Sequence, residues 1–477
     1  MPGPGPAATP RPAADADPVA LAAQARQRGE LETARRLYEE ALASHPNDAR
    51  AAVGLGETLT DLGDTDRAVK LLSAVAQALS DRPEPQRALA RAFLRGGHPA
   101  EAAAAADRST ALDPKNPDGY VLAGLAAIEA GDAARAIPAL EKGLALRPGD
   151  PAGLRGLASA YAALSDPRAE SAFERAIAAD PRNLPLAVDF AEYLWRERRY
   201  DRGNAEMEKV LQRVPGNQKL RVHFGLNLAE QGKFRDAVRQ FDLARRGGEP
   251  NAEILLYLGS AQWETGQLED ATRSLRESAR LDPQNAEARH RLGRLLIFRG
   301  EAPAAVGELE TAASLAPQSA EVRLNLGRAY EAAGRPADAE AAYRKALELE
   351  PKLPVAHYAL GTLLARTGRR EEAAKEIAVY QDDFQQQQRR RYESASRQAE
   401  LNLGRTELDS GRVEEALAQF GRHPDDPEAL RGSAEALSRL GRHAEAAEAL
   451  EKALQLDPDN HAIAWQLDRE RERMKAP

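Results

Sequence analysis

The 477-residue chain contains no cysteine, which excludes disulfide bonds, thiolate metal sites and cysteine nucleophiles. Aromatic residues make up only 5% of the sequence although 43% of it is hydrophobic, so alanine, leucine and valine must supply most of the core. This composition is typical of helical proteins and argues against strand-rich folds.

Long apolar runs and an excess of basic charge are also missing. No stretch reaches the about 18 consecutive apolar residues of a membrane-spanning helix. The 66 basic residues are outnumbered by 74 acidic ones, which leaves no general basic field for nucleic acid. The eight histidines form no metal-binding motif. We therefore expect no membrane span, no nucleic-acid partner, no metal, no cofactor and no enzyme activity.

Prolines that follow an apolar helix end recur along the chain in steps close to 34 residues or its multiples. A fixed period of this length is the sequence signature of a helical repeat protein. The prolines that set the period are Pro46, Pro114, Pro148, Pro181, Pro215, Pro283, Pro317, Pro351 and Pro458.

Each repeat predicts a pair of helices joined by a glycine turn. In the tenth repeat, Leu326 and Tyr330 share one face of a first helix, and Tyr343 lies on the matching face of a second helix. Gly334 between them predicts a left-handed helix end, and Pro351 stops the second helix. Thirteen repeats carry a small residue at one fixed place in each helix, which predicts close packing of the pair.

The pattern resembles the tetratricopeptide repeat, with its W-x2-L-G-x2-Y motif, an A-x3-F-x2-A motif and a closing proline. The resemblance implies an all-α fold, a right-handed α-solenoid of about 13 helix hairpins whose first helices line a concave groove. We expect the solenoid to span residues 15–458, after a disordered Pro/Ala-rich leader at residues 1–14 and before a capping helix and tail at residues 459–477.

The repeat register breaks at about residues 370–425. The second helix of repeat eleven continues without a glycine or proline to stop it, which predicts an extended helix. Two interpretations remain open for its middle: a solvent-exposed helix, or a protruding contact site in which Arg389, Arg390 and Arg391 face an acidic partner.

The resemblance also implies which first-helix positions face the groove. In the middle repeats these positions carry large aromatic residues and arginines, which is unusual for exposed surface and indicates an interaction site. The alternative is that the aromatic residues are packed between repeats and that the arginines pair with nearby glutamates. The predicted partner-binding residues are Trp195, Trp263, Phe298, Tyr358, Arg294 and Arg328.

These residues predict a non-catalytic scaffold that binds a peptide or protein partner. Arg294 and Arg328 lie one repeat apart and are expected about 10 Å from each other, suited to carboxylates of the ligand. Two alternatives stay open: an accessory protein for envelope or carbohydrate-export assembly, or the regulatory arm of a separately encoded enzyme. A native start at Met1 would indicate a cytoplasmic protein and a removed signal an exported one.

Overall fold

A computed structural model describes residues 17–249, 251–458 and 460–475. Helices dominate these residues, and no strand occurs among them. The predicted leader at residues 1–14 lies outside the described residues. The helices fall into two compact units, one reaching Leu186 and including the chain from Pro424 onward, and a second formed by Ala187–His423.

The helices alternate between first and second members of successive hairpins. Helices α1 to α13 are α1 (Pro18–Gln27), α2 (Leu31–Ser44), α3 (Ala49–Leu62), α4 (Thr65–Ala78), α5 (Pro83–Arg95), α6 (Pro99–Leu112), α7 (Pro117–Glu129), α8 (Ala133–Leu146), α9 (Pro151–Ala163), α10 (Ala169–Ala179), α11 (Leu184–Arg196), α12 (Tyr200–Arg213) and α13 (Gln218–Glu230). They are followed by α14 (Phe234–Arg246), α15 (Ala252–Glu264), α16 (Leu268–Leu281), α17 (Ala286–Phe298), α18 (Ala302–Leu315), α19 (Ala320–Ala332), α20 (Pro336–Leu349), α21 (Pro354–Arg366), α22 (Arg370–Asp409), α23 (Val413–Phe420), α24 (Pro427–Arg439), α25 (His443–Leu456) and α26 (His461–Lys475).

The turns inside the hairpins use the left-handed backbone conformation that the glycines predicted. Gly334, for example, has φ of 72° between α19 and α20. Only glycine adopts this conformation without a steric penalty. In two repeats another residue occupies the equivalent place, with φ of 50° at Ser165 and 58° at Arg198.

Most first helices start with a side chain that accepts a hydrogen bond from their exposed backbone N–H groups. The Asp48 carboxylate accepts from the N–H groups of Arg50 and Ala51 at 2.9 and 3.2 Å. These caps stabilise helix ends because the N–H groups of the first turn have no acceptors within the helix. Related caps occur at Asn116, Asp150, Asn217, Asn251, Asn285, Ser319 and Asp426.

The small residues of the first helices make room for large side chains of the second helices. A Cβ atom added to Gly225 would lie 2.6 Å from Cε1 of Phe241, and one added to Gly259 would lie 2.8 Å from Cγ of Leu275. Both second-helix side chains are almost fully buried. The close packing of these hairpins therefore rests on a glycine that lies against a buried leucine or aromatic ring.

The break in the register appears in the structure as one continuous helix. Helix α22 is 40 residues long and forms the second helix of repeat eleven and the first helix of repeat twelve. Counting it twice gives, among the described residues, thirteen hairpins followed by α26. The all-α solenoid of helix hairpins is thereby confirmed.

Candidate functional site

The predicted site residues of the second unit lie on first helices and on the long helix α22. Trp195 belongs to α11, Trp263 to α15, and Arg294 and Phe298 to α17. Arg328 lies on α19 and Tyr358 on α21. Their exposure differs widely, which separates them into a core residue and a set of surface residues.

The expectation that Trp195 is exposed is wrong. Its side chain is only 5% exposed. The indole ring stacks on Phe224 with 5.9 Å between ring centroids, and its Nε1–H donates to Oδ1 of Asn204 at 2.8 Å. A Cβ atom on Gly203 would lie 2.7 Å from Nε1, so this glycine provides the space that the indole fills. Trp195 is thus a packing residue of the repeat core.

Phe298 and Trp263 form an aromatic cluster at the surface. The Phe298 side chain is 66% exposed, and its ring centroid lies 6.5 Å from that of the partly buried Trp263. The guanidinium carbon of Arg294 lies 5.3 Å from the centroid of the Trp263 ring, which is a cation–π contact. Two neighbouring repeats therefore present one apolar patch with a cation at its edge.

The two arginines have different environments. Nη1 of Arg294 lies 3.7 Å from Oε1 of Glu321, and both side chains are well exposed, so this ion pair is weak. Arg328 is exposed and donates from Nη1 to Oδ1 of Asn325 at 3.3 Å. Within the described chain Arg328 makes no ion pair. A guanidinium group whose charge is not neutralised thus lies one repeat away from the aromatic cluster.

Tyr358 is 48% exposed and packs against a second aromatic group on α22. Its ring centroid lies 4.9 Å from that of Tyr380, and Tyr380 in turn lies 6.1 Å from Phe384. Val355 on the same face of α21 is 41% exposed. The predicted exposure of Tyr358 therefore holds, and the surface around it is apolar.

Arg389, Arg390 and Arg391 lie near the middle of α22 and are all exposed. Among the residues that the structure describes, they form no ion pair. The partner-binding role of these arginines and of the first-helix residues stays a prediction.

Near the start of several first helices, one polar side chain bonds both to the preceding loop and to the following second helix. We call this arrangement a polar bracket, and it was not predicted from the sequence. Arg289 donates from Nε to the carbonyl oxygen of Pro283 at 3.1 Å and from Nη1 to Oε2 of Glu308 at 2.8 Å. One side chain thereby ties the preceding loop and the following second helix to α17. Similar brackets link Arg221 to Pro215 and Gln240, and His357 to Pro351 and Glu376. A polar residue paired with another 19 positions later is the signal that could have revealed them.

One glutamate near the site, Glu287, is held in its charged form. The neighbouring His290 imidazole and the Arg291 guanidinium lower the pKa of Glu287 to about 2, although partial burial acts in the opposite direction. The buried His290 also lies within hydrogen-bond distance of Asn325, with 2.9 Å between Nε2 and Nδ2. These contacts connect the charged surface of α17 to that of α19.

In the described part of the chain, no group of three or more histidine, aspartate or glutamate side chains could hold a metal ion. None of the helices there is both long and apolar enough to cross a bilayer. The groups described at the candidate site are aromatic rings, guanidinium groups and carboxylates.

Repeated helix hairpins with exposed aromatic and cationic residues on their first helices define a helical-repeat binding protein. Two family models described as tetratricopeptide repeat match most of the chain, one at residues 25–92 and 330–395, the other at residues 87–151, 121–183, 223–286, 290–354 and 401–461. The chain belongs to the tetratricopeptide repeat family. Members of this family bind proteins or peptides, and the general role of the chain is protein interaction.

Several short solved structures are similar to parts of the chain. MamA is 28% identical over 35% of this chain and 96% of its own, with a TM-score of 0.33. YrrB, described as having an unusual peptide-binding site, is 22% identical over 40% of this chain and 98% of its own, with a TM-score of 0.35. TTC0263 of Thermus thermophilus is 22% identical over 37% and 97%, with a TM-score of 0.33. No curated protein matches the chain.

Proposed function

We propose that the chain binds an extended peptide segment of a partner protein across the first helices α15, α17, α19 and α21. The supporting observation is Phe298, a large aromatic residue that is two-thirds exposed beside Trp263. Burial of a phenylalanine side chain gives about 1.5–3 kcal/mol, so an exposed one offers that energy to a ligand. The role is that of a scaffold which performs no chemistry itself.

The ligand chemistry follows from the charges around the patch. An apolar side chain of the ligand covers Phe298 and Trp263. A carboxylate one or two residues away in the ligand sequence forms a salt bridge with Arg328. Arg294 contributes less because Glu321 already neutralises part of its charge. The preferred peptide therefore combines an aromatic or large aliphatic residue with a neighbouring aspartate or glutamate.

The test is a peptide selection on the full chain followed by affinity measurements. Peptides are selected from a random display library on the wild-type protein and then titrated by fluorescence polarisation against wild type, Phe298→Ala and Arg328→Gln. We expect the Phe298 variant to lose about tenfold or more in affinity and the Arg328 variant to lose selectivity for acidic peptides.

Tyr392→Ala serves as the matched control, because Tyr392 is 78% exposed but lies on α22. The Tyr392→Ala variant should bind the selected peptides with the same affinity as wild type. Circular dichroism should show the same helical content for all three variants, since each changed side chain is exposed. Selected peptides that bind the Phe298 variant as tightly as wild type would contradict the proposal.

A further inference from the structure

The middle of α22 is a helical segment whose side chains are exposed to solvent. Between the buried residues Ala373 and Leu401 no residue of α22 is buried, and residues 384–399 are all exposed. The 27 residues between these two anchors span about 40 Å at 1.5 Å per residue. We call residues 381–399 the exposed segment of α22.

The exposed segment carries acidic and basic residues in two separate groups along the helix. Asp382 and Asp383 precede four consecutive glutamines after Phe384, and Arg389, Arg390 and Arg391 follow them. The two aspartates accept hydrogen bonds from glutamine side chains one turn later, at 2.8 and 2.7 Å. The arginines make no ion pair with any carboxylate that the structure describes. The two aspartates and the three arginines thus lie on opposite sides of the four glutamines, whose midpoint falls between Gln386 and Gln387.

We propose that the exposed segment pairs antiparallel with the same segment of a second copy of this chain. Asp383 and Arg390 are seven residues apart, so both lie on one edge of the helix, about two turns from each other. In an antiparallel pair, residues on this edge face each other across the interface. Asp383 of each copy then faces Arg390 of the other, and the two-fold symmetry makes both pairs attractive.

The strip beside this charged edge provides the direct helix contact. It contains Phe384, Gln387 and Arg391 of the exposed segment and Tyr380 just before it, spaced three or four residues apart. In the antiparallel register that pairs Asp383 with Arg390, Phe384 lies opposite Gln387 of the second copy and Tyr380 opposite its Arg391. Phe384 is 49% exposed in the single chain and becomes covered. The second pairing brings a guanidinium group to an aromatic ring.

Charge complementarity selects the second copy over an unrelated acidic partner. An acidic surface would match the three arginines but would repel Asp382 and Asp383, which lie only about 9–14 Å away along the helix. A reversed copy of the segment satisfies both charge groups at once. The glutamines at the centre leave few apolar contacts, so the dimer is held mainly by charge and weakens as salt is added.

The test uses charge-reversal variants of the full chain in sedimentation equilibrium. Asp383→Arg and Arg390→Asp each turn both attractive pairs of the dimer into repulsive ones. We expect the dissociation constant of the dimer to be at least about tenfold higher for each single variant than for wild type. An equimolar mixture of the two variants restores both attractive pairs, and so does the double variant, so association should recover in each. Arg389→Asp, the same reversal on the side of the helix away from the contact strip, is the matched control and should associate like wild type.

Circular dichroism establishes that every variant keeps its helical content. A wild-type chain that remains monomeric throughout the micromolar range overturns the proposal. So does a dimer that is insensitive to both reversals, because its interface would lie elsewhere. Two variants that stay apart when mixed exclude the antiparallel register and overturn it as well. Binding of peptides at Phe298 is measured separately and is independent of these results.

Discussion

The steric role of the first-helix glycines can be tested at Gly225. A Cβ atom at this position would lie 2.6 Å from Cε1 of Phe241 and 2.9 Å from both Cδ1 and Cζ, whereas carbon atoms in contact are normally about 3.5–4.0 Å apart. Phe241 is only 1% exposed, so its ring cannot move aside without opening the core. Gly225→Ala should therefore overpack the hairpin formed by α13 and α14.

The expected change in the free energy of unfolding is the difference between two opposing effects. Overpacking a buried site costs about 1–3 kcal/mol, while alanine in a helix is favoured over glycine by about 1 kcal/mol. Gly225→Ala should therefore lower the local free energy of unfolding by up to about 2 kcal/mol. Gly307→Ala in α18 is the matched control, because a Cβ atom there meets no atom within 4 Å. That variant should gain about 0.5–1 kcal/mol.

A double-mutant cycle separates this clash from other effects of the substitution. Phe241→Ala alone should cost about 3–5 kcal/mol because it leaves a cavity. In the double variant the new methyl group enters that cavity, so the combined loss should be smaller than the sum by about 1–2 kcal/mol. The double variant reproduces a pair that the chain already contains, since Ala90 and Ala106 occupy the equivalent places in repeat three and are both fully buried.

Hydrogen exchange followed by mass spectrometry is the appropriate assay, because repeat proteins open locally and their global unfolding is not two-state. Opening free energies are compared for peptides from α13 and α14 and, as an internal reference, from the distant α5 and α6. Additivity of the two substitutions within about 0.5 kcal/mol would refute the steric argument. So would a stabilising effect of Gly225→Ala equal to that of Gly307→Ala.

Three further predictions concern single residues, each measured as a change in local stability. Arg198→Gly should stabilise the turn between α11 and α12 by about 0.5–1 kcal/mol, because glycine adopts the observed φ of 58° without steric cost; reduced protection of that turn would contradict this. Glu308→Ala removes the carboxylate from the bracket around the half-buried Arg289 and should cost about 1–3 kcal/mol, whereas an unchanged value would show that the bracket is not stabilising. The pKa of Glu287 is about 2, below its ordinary value of 4.5, so its ionised form stabilises the fold above about pH 4.5 and this contribution is lost as the pH falls towards 2. Glu287→Gln should therefore cost up to about 1 kcal/mol at pH 7 and nothing at pH 2, and a cost that does not depend on pH would exclude the ionic contribution.

The period and the hairpins could be predicted from the sequence because they depend on local chemistry. Gly334 requires no partner to favour the left-handed turn, and Pro351 lacks the N–H group that would continue α20. The small residue at Gly225 indicated close packing, but the atoms that need the space belong to Phe241 and not to the backbone of the second helix. The spacing of residues thus predicted the architecture more accurately than it predicted the contacts.

Exposure of a side chain could not be predicted in the same way, as Trp195 and Phe298 show. Both are aromatic, both lie near the end of a first helix, and both were expected at the surface. Trp195 is buried because Gly203 in the next helix leaves room for the indole and Phe224 in the following repeat covers it. Phe298 has Trp263 beside it and remains two-thirds exposed, so most of its side chain stays in contact with water.

The difference between these two aromatic residues gives a criterion for the surface of the repeats. Two features decide whether an aromatic residue of a first helix is buried. One is the size of the residue that faces it in the second helix of the same repeat, and the other is the residue that covers it from the next repeat. At Trp195 a glycine and a phenylalanine together enclose the ring, and Asn204 satisfies its N–H group. A ring that is not enclosed in this way keeps its apolar surface in contact with water. This is the physical reason why Phe298, and not Trp195, carries the proposed binding function.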